Sequence, residues 1–299
     1  MPLFYPNLGT EQQCEQVPLT FPAQHQDTQP GLEAPMNPPP IFDNPQYVGA
    51  GKLKDKIALV TGGDSGIGRA VCVAFAKEGA DVAILYYNEH EDAAITRQHI
   101  EALGRRCLLI AGDIADEAFC NKAVGDTVAG LGRLDVLVNN AAVQFPQNSI
   151  SDISVQQMEA TFRVNVFGMF HLTKAALPHL KGGSAIINTT SVVAYKGNER
   201  LIDYSATKGA IVSFTRAMAL SLVAQGIRVN AVAPGPIWTP LQPASWPAQD
   251  IRTFGSNTPM KRSGQPVELA PTYVYLASGD SSFVTGQVLH VDGGASMLS

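Results

Sequence analysis

Seven short runs of aliphatic and β-branched residues punctuate residues 52–299, and none alternates strictly between apolar and polar positions. They read KIALVTGG (56–63), DVAILYY (81–87), RCLLIAGDI (106–114), LDVLVNNAA (134–142), SAIINTTS (184–191), IRVNAVAPG (227–235) and GQVLHVDGG (286–294). A strand with one solvated face alternates, whereas a run without alternation is buried on both faces, as in a parallel sheet covered by helices. Helical periodicity fills the intervals, over 66–80, 89–103, 116–130, 155–180, 204–225 and 267–278. Strand and helix in alternation, joined by right-handed crossovers, predict one α/β domain: a doubly wound three-layer sandwich around a seven-stranded parallel sheet. At 299 residues and 45% hydrophobic content the chain can bury such a core.

The first 51 residues differ in kind. They hold ten of the twenty prolines and five acidic residues but no Lys or Arg, so this segment carries the whole net charge of −5. Proline fixes φ and removes a backbone donor, which argues against a packed helix or inner strand there. Phe4, Tyr5, Phe21, Ile41, Phe42 and Tyr47 are more apolar anchors than an entropic tail requires. The chain therefore divides into a proline-rich acidic arm over 1–51, expected to lie along the body or a neighbouring subunit, with disorder as the alternative reading, and a folded body over 52–299.

A neutral body and a net negative chain disfavour nucleic acid and anionic membrane as partners. The N-terminal stretch lacks the basic and apolar regions of a secretory signal, and no apolar run reaches the roughly 18–20 residues of a membrane span. Cys14, Cys72, Cys107 and Cys120 form no CxxC pair and show no metal-ligand spacing. No metal is expected, and a reducing, cytoplasmic setting is the simplest reading.

TGGDSGIG (61–68) joins the first predicted strand to the first predicted helix. Gly62, Gly66 and Gly68 let the backbone turn tightly against a pyrophosphate, and the helix N-terminus offers unpaired N–H groups and partial positive charge. The spacing resembles the TGxxxGxG of the short-chain dehydrogenase/reductase family. That family's other motifs follow in order: NNAA (139–142), Asn165 in FRVNVFGMF, Ser191 closing the fifth strand, YSATK (204–208) and PGPIWT (234–239). The likeness covers about 52–299. It points to a bacterial branch with a long proline-rich arm, the general-stress and glucose-dehydrogenase-like oxidoreductases.

The resemblance implies a Rossmann-type fold and NAD or NADP as cofactor. It implies cofactor contacts from Gly62, Asp64, Ser65, Gly66, Ile67, Gly68, Asp113, Ile114, Asn139, Ala141, Tyr204, Lys208, Pro234, Gly235, Ile237 and Thr239. One motif departs: the family's NNAG reads NNAA, which places the Ala142 methyl beside the cofactor channel. For Asp113 a helix cap is the alternative reading, and for Asn139 it is turn chemistry.

NAD is ordinarily read by an acid about 20 positions beyond the glycines, whereas a nearby Arg suits the 2′-phosphate of NADP. The second strand ends LYYNEHED, so neither Tyr86 nor Tyr87 supplies the acid and Glu89 arrives two residues later. On spacing no carboxylate is placed to repel a 2′-phosphate and no arginine to bind one; Arg69 after the glycines reads equally well as a surface residue. The choice of cofactor stays open.

Tyr204 and Lys208 stand four apart, which stacks them on one helix face. A free tyrosine with pKa about 10 is a poor acid or base at neutral pH, and a neighbouring ammonium lowers that value. Lys208 also has donors for ribose hydroxyls. Ser191 falls at the carboxyl edge of the sheet, where its hydroxyl can polarise a carbonyl or alkoxide. Asn165, by resemblance, kinks a helix and supports a water relay toward Lys208. Together these four predict proton transfer coupled to hydride transfer on an alcohol, aldehyde or ketone.

Residues 236–265 carry five prolines, both tryptophans and Phe254, and read as a lid beyond the sixth strand, with a loop packed on a partner subunit as the alternative. Trp238, Trp246, Phe145 and Phe254 suggest a partly apolar pocket. A homo-oligomer, tetramer or dimer, follows from the resemblance. A non-catalytic dinucleotide-binding sensor on the same fold is the competing reading, marked by loss of Ser, Tyr or Lys; all three are present.

Overall fold

The computed structural model describes residues 10–12, 16–18 and 20–298. Phe4, Tyr5 and Cys14 lie outside the described residues. An antiparallel pair, 10–12 against 16–18, precedes everything else.

Seven strands form the central sheet: β1 (Ile57–Thr61), β2 (Asp81–Tyr86), β3 (Cys107–Ala111), β4 (Val136–Asn139), β5 (Ala185–Thr189), β6 (Arg228–Pro234) and β7 (Val288–Val291). Their order is β3-β2-β1-β4-β5-β6-β7 and every pairing is parallel. Each falls inside the run that predicted it, shorter by a few residues where the chain turns into a loop. β1, β2, β4 and β5 are buried at every position, as their apolar runs require. β3 and β7 are only partly buried, because each is an edge strand.

The long helices are α1 (Gly66–Lys77), α2 (His90–Ala102), α3 (Glu117–Leu131), α4 (Val155–Phe162), α5 (Gly168–Ala176), α6 (Ile202–Leu222) and α7 (Pro266–Ala277). Alternate residues along each strand feed opposite layers. Val60, Ile84, Val138 and Val232 meet Val71, Phe75, Leu269 and Tyr273 on one face. Leu59, Leu85, Leu137 and Val229 meet Val124, Leu172, Ala219 and Leu222 on the other. From β1 the chain winds outward to β2 and β3, and from β4 it winds the opposite way. The carboxyl ends of β1 and β4 therefore flank a switch-point crevice, the usual ligand site of an open α/β sheet. Among the described residues no helix is long and apolar enough to cross a membrane.

Residues 20–51 run along the body. Phe21 stacks on Trp238 with ring centroids 4.0 Å apart. The Trp238 indole donates to the Pro38 carbonyl at 2.8 Å, and Ile41 exchanges bonds with the Gln265 side chain and the Val267 N–H. At the junction with the body, buried Glu78 accepts from the backbone N–H groups of Ala50 and Lys52, both at 2.9 Å. Phe21 is buried, so Phe21→Ala should cost about 3 kcal/mol. Equilibrium urea unfolding checks it: the midpoint falls with the slope unchanged, whereas an arm merely resting on the surface would leave it in place.

Candidate active site

The turn after β1 is built on glycine. Gly66 has φ +51°, a region open to glycine at little cost. A Cβ on Gly68 would lie 1.8 Å from the Gly62 carbonyl oxygen, so only glycine lets α1 start so close to the turn. Ser65, the residue before α1, makes no side-chain cap. The turn, the ends of β2, β4, β5 and β6, and residues 239–242 enclose a cleft of about 390 Å³.

Of the residues singled out from sequence, Gly62, Asp64, Ser65, Ile67, Asp113, Ile114, Ala141, Ser191, Tyr204, Lys208, Pro234, Gly235, Ile237 and Thr239 all line this cleft. Gly66 and Gly68 shape the turn without lining the cleft. Asn139 and Asn165 lie deeper, on the wall of a separate void of about 10 Å³ that Thr61 and Thr189 also line. Asn139 donates to Thr173 and Asn188, and its buried Oδ1 has no partner. Asp113 accepts from the Ala115 N–H, while the cap of α3 is Asp116.

Ser191, Tyr204 and Lys208 converge beyond β5, all buried. Lys208 Nζ donates to the Thr189 carbonyl at 2.9 Å and stands 5.3 Å from the Tyr204 ring centroid. Thr190 Oγ1 bonds the Lys208 carbonyl at 2.8 Å, tying α6 to the strand end. Asn165 sits in a π-helical turn, Arg163–Phe167, between α4 and α5. Its amide closes a two-way bond with the Val143 backbone, at 2.8 and 2.9 Å, and donates to Thr207 at 3.1 Å. A widened turn of this kind often accompanies a functional site.

Burial dominates the charges. It pushes the Lys208 amine down to about 7. It also holds the Tyr204 phenol above its ordinary value, although the Ser191 hydroxyl bonded to it acts the other way. The sequence-based expectation that Lys208 lowers the tyrosine is thus reversed here: burial raises the phenol, and the lysine is itself desolvated, which weakens its ammonium form.

Three further expectations are corrected. Trp238 does not line the cleft but is fully buried against Phe21 and Phe254. Trp246 lies under the Arg200 guanidinium, 4.9 Å away, so of the four aromatics only Phe145 lines the cleft. Arg69 is no surface residue: it is 3% exposed and pairs with Glu33 at 2.5 Å and Asp92 at 3.1 Å. Glu89 and Asp64 are buried carboxylates on the cleft wall, against the reading that no acid is placed there.

Sequence reasoning also missed Asn140, whose side chain donates to the Thr61 and Gly62 carbonyls and accepts from Thr189. The doubled Asn at a strand end was its signal. Gln29, Pro30 and Gly31 of the arm line the cleft as well. Gln29 pairs with the Gln144 backbone at 2.7 and 3.0 Å, a contact across 115 positions with no local signature.

A family model described as enoyl-(acyl carrier protein) reductase matches residues 62–296. The uncharacterised oxidoreductase YhxC of Bacillus subtilis (strain 168) is 63% identical over 281 residues, 94% of this chain and 98% of that protein. The glucose and ribitol dehydrogenase of Daucus carota is 50% identical, covering 92% and 97%. Among solved structures, a short-chain dehydrogenase from Burkholderia cenocepacia J2315 in complex with NADP superposes with a TM-score of 0.77 at 35% identity, covering 82% and 99%. A 3-ketoacyl-(acyl-carrier-protein) reductase from Brucella melitensis complexed with NADH gives 0.75 at 34%, with the same coverage.

The buried lysine has a thermodynamic signature. An unfolded lysine keeps its proton to about pH 10.4, whereas folded Lys208 gives it up near 7. Between these values the unfolded chain holds one more proton, so this group's penalty grows as pH falls from about 10 to 7. Lys208→Met should raise the melting temperature at pH 7.5 and leave it unchanged near pH 10.5, as read by calorimetry across that range. An equal shift at both pH values would contradict the assignment.

Proposed function

The chain belongs to the short-chain dehydrogenase/reductase family, and on that premise we propose that its cleft oxidises an alcohol or reduces an aldehyde or ketone with Tyr204 as the acid/base. It is an NAD(P)-dependent oxidoreductase. The observation that carries the residue assignment is the convergence of Ser191, Tyr204 and Lys208, all buried, on the cleft of about 390 Å³ behind the glycine turn.

The residues present fit a nicotinamide dinucleotide: a glycine turn that a Cβ would fill, a helix N-terminus beside it, and a cleft lined by both that turn and the Tyr204–Lys208 pair. Gly62, Ser65 and Ile67 would hold the phosphates, and Asp113 and Ile114 the adenine side. Asn140, Pro234, Gly235, Ile237 and Thr239 would hold the nicotinamide side. When bound, the dinucleotide supplies the hydride acceptor or donor.

Every other step falls to the chain. Ser191 orients the substrate oxygen through its hydroxyl. Tyr204 gives a proton to that oxygen on reduction and removes it on oxidation. Hydroxyl acceptors placed at Lys208 Nζ favour its ammonium form, and that ammonium favours the phenolate, bringing Tyr204 down toward working pH. Asn165 holds the π-turn and the Val143 backbone in register behind them. A homo-oligomer, dimer or tetramer, is supported by the exposed Met158, Phe167, Phe170 and Leu220 on helices beside the cleft. The three described cysteines are free thiols, in keeping with a cytoplasmic setting.

Oxidation of NADH and NADPH followed at 340 nm across aldehydes, ketones and sugars tests the reading. Tyr204→Phe should lower turnover by about 10²-fold or more with dinucleotide affinity retained. Unchanged turnover would overturn the role of Tyr204. Tight dinucleotide binding without turnover on any substrate would favour the sensor reading instead.

A further inference from the structure

The surroundings of Tyr204 are not made by the folded body alone. Val192, Val193, Leu201 and Tyr204 form one apolar cluster, and Ala142 and Trp246 pack against it. The loop after β4 and the segment after β6 therefore meet at the reacting end of the cleft. The arm joins them there. Gln29, Pro30 and Gly31 line the cleft together with Val143 and Leu241. Gln29 Nε2 donates to the Gln144 carbonyl at 2.7 Å and to the Ala244 carbonyl at 3.3 Å, and its Oε1 accepts from the Gln144 N–H at 3.0 Å. Both amide hydrogens are thereby taken, so Gln29 presents volume to a substrate rather than a donor.

The arm also pins the segment after β6 along its length. Trp238 is stacked on Phe21 and bonded to the Pro38 carbonyl. The Gln26 N–H donates to the Pro243 carbonyl at 2.8 Å, and His25 Nδ1 lies 2.9 Å from the Trp246 carbonyl. Gln144 Nε2 adds a bond to Ser245 Oγ at 3.1 Å. There is no slack between arm and segment: a Cβ on Gly31 would stand 2.5 Å from the Pro240 carbonyl oxygen and 2.8 Å from Ala244 Cβ. A wall packed this closely accommodates added volume only at a cost.

We propose that the arm builds a wall of the substrate pocket, with Gln29 as a specificity-determining residue that closes the gap between the loop after β4 and the segment after β6. The pocket then admits carbonyl compounds that are slender near the reacting carbon and rejects branched ones. This rests on the oxidoreductase reading of the cleft. An unbranched chain passes beside Gln29, whereas a branch presses on a side chain that Gln144 and Ala244 hold in place, backed by Pro240 behind Gly31. Discrimination by pocket volume of this kind reaches about 10–200-fold.

Steady-state reduction of butanal and of 3,3-dimethylbutanal by the full chain, followed at 340 nm with whichever of NADH and NADPH it oxidises, tests the assignment. Wild type should favour butanal in kcat/KM by at least about tenfold. Gln29→Ala should lower that preference by about fivefold or more, chiefly through a smaller KM for the branched aldehyde. A merely structural role for Gln29 would weaken both reactions alike and leave the ratio in place, and that result would overturn its part in specificity. Equal use of the two aldehydes by wild type would overturn the wall without any variant, and would leave the oxidoreductase reading intact. Reduction of no aldehyde, ketone or sugar by wild type would instead overturn that reading.

Discussion

A lysine buried at 2% exposure, with its amine on the Thr189 carbonyl, is the constraint around which the cleft is arranged. Desolvation penalises its ammonium and pushes the amine down to about 7, while burial holds the Tyr204 phenol above its ordinary value. A polar group buried in this way must be placed by well-ordered neighbours. Thr190 ties the Lys208 carbonyl to the end of β5, Thr207 bonds the Tyr204 carbonyl at 2.7 Å, and Asn165 bonds Thr207. The π-turn that carries Asn165 belongs to this arrangement: it presents one amide to the Val143 loop and to α6 together.

The other half of the cleft depends on a second buried ion network. Arg69 and Glu33 join the first turn of α1 to the arm, and Asp92 adds α2 through the Glu33 N–H at 2.8 Å. Each of these charges is nearly out of contact with water, so removing one partner would leave another uncompensated. The arm is therefore continuous with the cleft. It contacts the glycine turn through Glu33, the loop after β4 through Gln29, and the segment after β6 through Phe21 and Pro38.

Much of this could be read from the chain itself. Strands without alternation lie inside the sheet, and the strand–glycine–helix junction places a turn that only glycine tolerates at Gly68. Ser191, Tyr204 and Lys208 meet because strand-end and helical spacing are local properties. What escaped the sequence depends on distant partners. Arg69 looks exposed until Glu33, 36 positions away, is seen against it. Trp238 looks like a pocket wall until Phe21 covers it. Glu89 looks misplaced by two residues because strand and helix ends are soft in sequence, yet it lines the cleft. The direction of the tyrosine shift escaped for another reason: spacing reveals a neighbouring charge but not the desolvation that removes it.

Burial weakens the ammonium form of Lys208 and holds Tyr204 as a phenol until a dinucleotide restores the lysine charge and makes the tyrosine ionisable. Nuclear magnetic resonance of chain labelled at the tyrosine ζ-carbon, assigned with Tyr204→Phe, measures this directly. In the free protein the Tyr204 signal should stay that of a phenol through pH 10. With saturating dinucleotide it should begin to move at least about one pH unit lower. Identical titrations with and without the dinucleotide, or ionisation of free Tyr204 well below pH 10, would contradict the account.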